Sequence, residues 1–141
     1  MYTQADAFLK LQDEIRQQNI SPISKLRVYV DTIAELQIHK PYHIHLIYRE
    51  LLSAQPMFEN YVKNRLYKVH LFMTELVDEA IATGEISTNI KPTHVAFTLE
   101  GMIMFFFLTK SQIKVIGNFE DGKETDYLIT AMNSYLESLS K

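Results

Sequence analysis

Pro92-Thr-His-Val-Ala-Phe-Thr-Leu-Glu-Gly-Met-Ile-Met-Phe-Phe-Phe-Leu-Thr109 is the stretch whose reading decides the fold. Its only formal charge is Glu100. On a helical wheel Val95, Leu99, Met102, Ile103 and Phe106 share one side, and Phe97, Gly101, Met104, Phe105 and Leu108 share the other. A helix that is apolar all round has to be covered all round. Crossing a bilayer takes about 20 apolar residues, more than this stretch offers. One face can pack on the chain's own core. The other needs more protein, and in a chain of 141 residues a second copy is the candidate.

Outward from that stretch the chain reads as helices joined by short breaks. Before it, residues 56–82 form the longest pattern, with Phe58, Val62, Leu66, Val69, Met73, Leu76 and Ala80 at helical spacing. Gly84 follows where a helix stop belongs, and Glu85 to Lys91 is a polar loop. Further back, Pro41 opens a segment with Ile44, Ile47, Tyr48, Leu51 and Leu52 on one face, ending near Ser53-Ala54. Ser21-Pro22 gives an N-cap and first-turn proline for a helix running to about His39. Thr3 to Gln18 is another, with Phe8, Leu11 and Ile15 as its stripe. Downstream, residues 110–123 read as a connection with an extra turn around Ile113-Val115-Ile116, and the last helix runs from about Glu124 to Leu139. Val28-Tyr29-Val30 and Lys114-Val115-Ile116 favour strands locally, but neither alternates for long enough. The expectation is an all-α, single-domain bundle of about six helices occupying residues 1–141.

Composition removes several function classes. The net charge is −3 with scattered Lys and Arg, which leaves no electrostatic footprint for nucleic acid. Zero cysteines exclude disulfides, thiol catalysis and thiolate metal sites, and fit a cytoplasmic protein. The first residues have neither the basic nor the apolar region of a signal peptide. No serine sits in a nucleophile elbow and no glycine loop cradles phosphate, so an enzyme is not expected.

The order of parts resembles the regulatory domain of the TetR (tetracycline-repressor) family of bacterial transcription regulators. The resemblance is carried by Arg49-Glu50-Leu51-Leu52 before a proline break, by the long helix ending at Gly84-Glu85-Ile86, and by the polar loop to Pro92. The next helix carries Ala96 and Gly101 among large apolar residues. Such regulators begin with a helix-turn-helix of roughly fifty residues. This sequence has no glycine before Gly84 and no basic cluster near its start, so it looks like the regulatory part alone. The resemblance implies a homodimer built from the last two helices and a small-molecule pocket among the middle ones. It implies operator DNA as a partner only through a missing DNA-reading domain, and no membrane partner.

Candidate residues follow. The association face is Phe97, Gly101, Met104, Phe105 and Leu108, joined by Leu128, Ala131, Tyr135 and Leu139. The pocket wall is Tyr29, Ile33, Ile47, Tyr48 and Leu51 from the earlier helices, with Arg65, Val69, Phe72, Met102 and Phe106 from the later ones. Aromatic and Met side chains at helical spacing are ordinary core, but they also suit an adaptable ligand wall. Arg65 falls inside the apolar arc of its helix. One account is an internal ion pair, with Glu50 as the candidate partner, or a side chain that snorkels to water. The other is a guanidinium that orients the acidic end of a mostly apolar effector. His39 and His43 have i, i+4 spacing, but Pro41 between them spoils a ligand pair, and no metal or other cofactor is expected. The function expected is effector sensing and dimerisation in a TetR-like regulator. The rival is a helical protein-interaction module with no small-molecule role.

Overall fold

The computed structural model of the chain describes residues 4–39, 49, 53 and 59–140. Within them lie helices α1 (Gln4–Gln17), α2 (Pro22–His39), α3 (Glu59–Ala82), α4 (Pro92–Leu108), α5 (Lys110–Ile116) and α6 (Glu124–Leu139). The protein is an all-α single domain. The helix expected from Pro41 lies outside the described residues, apart from helical Arg49 and non-helical Ser53, and so does the start expected at Pro56.

Local chemistry sets the ends. The Ser24 backbone N–H donates to Ser21 Oγ at 3.2 Å, so Ser21 caps α2 while Pro22 opens it. At the end of α3 the Glu85 N–H reaches back to the Ala80 carbonyl at 2.9 Å and the Gly84 N–H to that of Ile81 at 3.1 Å. That paired closure requires a left-handed residue, and Gly84 has φ +83°. The chain then drops Ile86 into the core, fully buried, where it forms an isolated antiparallel bridge with Ser140. The loop before α4 is thereby tied to the end of α6.

The core is one cluster. Leu26, Tyr29, Val30 and Ile33 of α2 meet Phe72, Met73, Leu76 and Val77 of α3, and Val95, Leu99, Ile103 and Phe106 of α4 close over them. α3 packs most extensively against α4 and then α2, while α6 lies against α2 and α4. The Asn133 amide of α6 donates to Asp31 Oδ1 of α2 at 3.3 Å. Burial, more than any neighbouring charge, holds that Asp31 carboxyl above its ordinary range.

Two expectations are corrected. Residues 110–116, expected as part of a connection with one extra turn, form a seven-residue helix, and its axis turns 80° from that of α4. The turn falls at Thr109, whose φ of −118° leaves the helical basin while its N–H still donates to the Phe105 carbonyl. Leu128 belongs to the core instead of an outward face. With Met132 and Leu136 it makes an i, i+4, i+8 stripe that is buried within the chain itself. Among the described residues no single helix is long and apolar enough to cross a membrane.

Replacing Gly84 by Ala should lower unfolding stability by about 1 kcal/mol or more, because an L side chain resists the left-handed backbone. Urea denaturation checks it. An unchanged midpoint would mean that the α3 closure does not need Gly84.

Candidate functional site: a polar junction and an outward apolar face

Leu11 and Ile15 turn one side of α1 towards the body, and Gln12 beside them is buried too. Its side-chain amide donates to the Tyr29 hydroxyl at 3.0 Å and to the Lys68 backbone carbonyl at 3.4 Å. One side chain thus joins α1, α2 and α3. The Tyr29 ring meets Phe72 edge-on, with centroids 4.7 Å apart. The Arg16 guanidinium lies 4.7 Å from the centroid of the same Phe72 ring and grips Glu75 through two hydrogen bonds, at 2.8 and 3.3 Å. Burial pushes the Tyr29 phenol well above its ordinary range. The Gln12 hydrogen bond and the charges of Arg65 and Arg16 act in the opposite direction. Arg65, itself half-buried, therefore stands within electrostatic reach of the Tyr29 hydroxyl.

Of the pocket residues expected from sequence, Tyr29, Ile33, Phe72 and Phe106 are buried where α2, α3 and α4 meet, and Val69 and Met102 are half-buried against them. Ile47, Tyr48 and Leu51 lie outside the described residues, as do His43 and His45. Sequence reading missed Gln12. Its signal was a lone amide between two inward apolar positions.

α4 shows a second face. Phe97 and Phe105 keep 63% and 61% of their surface exposed; Leu108 and Gly101 are exposed as well, and Met104 is half-buried. On α6, Ala131, Tyr135 and Leu139 are half-buried and Tyr127 is exposed. On α5, Val115 and Ile116 are 79% and 85% exposed. An added Cβ at Gly101 would meet nothing within 4 Å in the single chain.

Beneath Phe97 lies a polar chain. His70 of α3 donates from Nδ1 to the Glu100 carboxylate of α4, at 3.0 and 3.2 Å, and its Nε2 shares a hydrogen bond with Thr93 Oγ1 at 2.7 Å. The Phe97 ring packs on the imidazole with centroids 4.6 Å apart. The lone charge of the apolar stretch is thus answered from α3. Burial raises the Glu100 pKa, and the His70 hydrogen bond and charge offset part of that rise.

A TetR C-terminal family model, described as YcdC-like protein, C-terminal region, matches residues 4–137. Neither curated proteins nor solved structures yield a match.

Tyr29→Phe should destabilise the fold by about 1–2 kcal/mol, because it removes the better acceptor of a buried amide. Thermal and urea melts measure this. A loss well below 0.5 kcal/mol, on the order of the error of such comparisons, would show that Gln12 is not held by Tyr29.

Proposed function

This chain belongs to the family of YcdC-like C-terminal regions of TetR regulators, and from that premise we propose that it is the effector-sensing and dimerising part of a transcription regulator. Domains of this family generally dimerise and bind small-molecule effectors. The observation that carries the reading for this chain is the second apolar face of α4. Its inner side already completes the core, while Phe97, Phe105 and Leu108 stay exposed on the outer side, with Phe97 packed only on the His70 ring among the described aromatic pairs. Patches of this kind mark interaction surfaces. A two-fold axis sets such a patch against its own copy. Gly101 lets the second helix approach closely, and Ala131, Tyr135 and Leu139 flank it from α6.

The effector reading rests on the junction of α2, α3 and α4. A mostly apolar molecule with an acidic end fits rings and thioethers, with Arg65 and the Tyr29 hydroxyl at its polar end. Coupling to DNA would run through a helix-turn-helix outside these 141 residues. Ligand shifts the dimer between two arrangements only by its difference in affinity for them. The rival, an interaction module with no small-molecule role, has in its favour the close packing of Tyr29, Phe72 and Phe106.

Two variants test these assignments. Gly101→Leu should leave the monomer folded, since the added side chain has open space, and should weaken self-association by about tenfold or more, which is ~1.4 kcal/mol. Sedimentation velocity across a concentration series measures it; unchanged association would remove Gly101 from the interface. Arg65→Ala should abolish binding of an aromatic or medium-chain carboxylate, read by calorimetry, while changing the melting temperature little. A variant that melts far earlier and binds as before would favour the interaction module.

A further inference from the structure

Phe97 is both the roof of the His70–Glu100–Thr93 chain and part of the outward face. The side chains of His70 and Glu100 keep only 17% and 20% of their surface exposed, and the Phe97 ring packs on the imidazole. A second copy seated over Phe97 and the adjoining surface of His70 and Glu100 would take that remainder from water. Sealing a net charge is costly, whereas a pair sharing one proton between imidazole and carboxylate is neutral in either arrangement. Thr93 serves the pair with or without that proton, because its hydroxyl can accept from a protonated Nε2 or give to a bare one.

From this geometry we propose that the His70–Glu100 pair links the association of two copies to proton uptake: each pair sealed beneath the partner holds one proton. The inference rests on the association face assigned above and adds its regulation. The direction follows from the charges. When the imidazole is neutral and the carboxylate ionised, the pair is net negative and resists sealing. The assembled state thus binds more protons than the free one, and association weakens as pH rises. The raised pKa of Glu100 in the free chain has the same sign, since burial already favours its protonated form there.

Other ionisable groups around the pair have separate roles. On α2 the Tyr29 phenol feels Glu100, and Arg65 of α3 and Arg16 of α1 act on the same phenol with the opposite sign. His94 of α4 is exposed next to Thr93 and is the competing source of a pH effect. The neighbouring charge that bears on Glu100 is that of His70.

The test is sedimentation equilibrium of the 141-residue chain at about pH 6 and about pH 8.5, where histidine is the side chain that ordinarily titrates. Wild type should associate at least about tenfold more weakly at the higher pH, since up to two protons per dimer are at stake. Glu100→Gln is neutral without a proton, so its association should be flat or should weaken towards low pH instead. His94→Gln should behave as wild type. His70→Gln combined with Glu100→Gln, the second variant should Glu100→Gln alone fail to fold, should be flat, because no titratable group remains in the pair. Equal wild-type affinity at both pH values, or a wild-type-like dependence retained by Glu100→Gln or by the double variant, overturns the inference while leaving the dimer standing. A dependence abolished by His94→Gln assigns it to His94 and overturns it as well. A chain that is monomeric at both pH values overturns the inference and the association reading together.

Discussion

A seventeen-residue helix with apolar side chains on both sides is the constraint from which the rest of this structure follows. Val95, Leu99, Ile103 and Phe106 satisfy one side by closing over α2 and α3, which fixes the order of packing: α3 beside α4, α2 beneath, and α6 across α2 and α4. Phe97, Phe105 and Leu108 remain exposed in that arrangement, Phe97 with one side of its ring on His70. The single charge of the helix is managed from α3, where His70 answers Glu100. α4 therefore joins an intramolecular core, an outward surface and a polar link between helices, and on the proposed reading all three change together when two copies meet.

α1 is attached differently. Among its described side chains Ile15 is the buried anchor with Leu11 packed beside it, and polar ties add to them: Gln12 to Tyr29 and the Lys68 carbonyl, Arg16 to Glu75. The Arg16–Glu75 pair is well exposed and contributes modestly at most. The Gln12 link is buried, and its partner Tyr29 stands in the junction proposed for an effector. A molecule competing for the Tyr29 hydroxyl would disturb the hydrogen bond that seats α1. On the proposed reading, ligand occupancy and the position of the first helix would be connected through one phenol.

Much of the helical order was legible in the sequence because it rests on local rules. Ser21-Pro22, Gly84 and Pro92 are start and stop signals whose chemistry acts within a turn, and the structure uses each of them. The inward and outward faces of α4 follow from its wheel. α6 was harder: Leu128, Ala131, Met132, Tyr135 and Leu139 share a broad arc, and only packing on α2 separates buried Leu128 and Met132 from half-buried Ala131, Tyr135 and Leu139. Residues 110–123 looked like a connection because they carry Gly117 and Gly122, yet both glycines fall after α5, which forms directly after α4. The polar pairs were beyond sequence reading. Gln12 meets a residue 17 positions away and His70 one 30 positions away, and no spacing rule reaches that far. Glu100, alone in an apolar run, was a signal that a partner had to exist without saying which.

The account's central claim is that the outward face of α4 is covered by a second copy of the chain. Sedimentation equilibrium at micromolar concentration and about pH 6, comparing wild type with Phe105→Asp, tests it most directly. The predicted result is a wild-type mass twice the 16.4 kDa of one chain, and a folded Phe105→Asp at the mass of one chain. A wild type that sediments as one chain, or a folded Phe105→Asp that remains two chains, would contradict it.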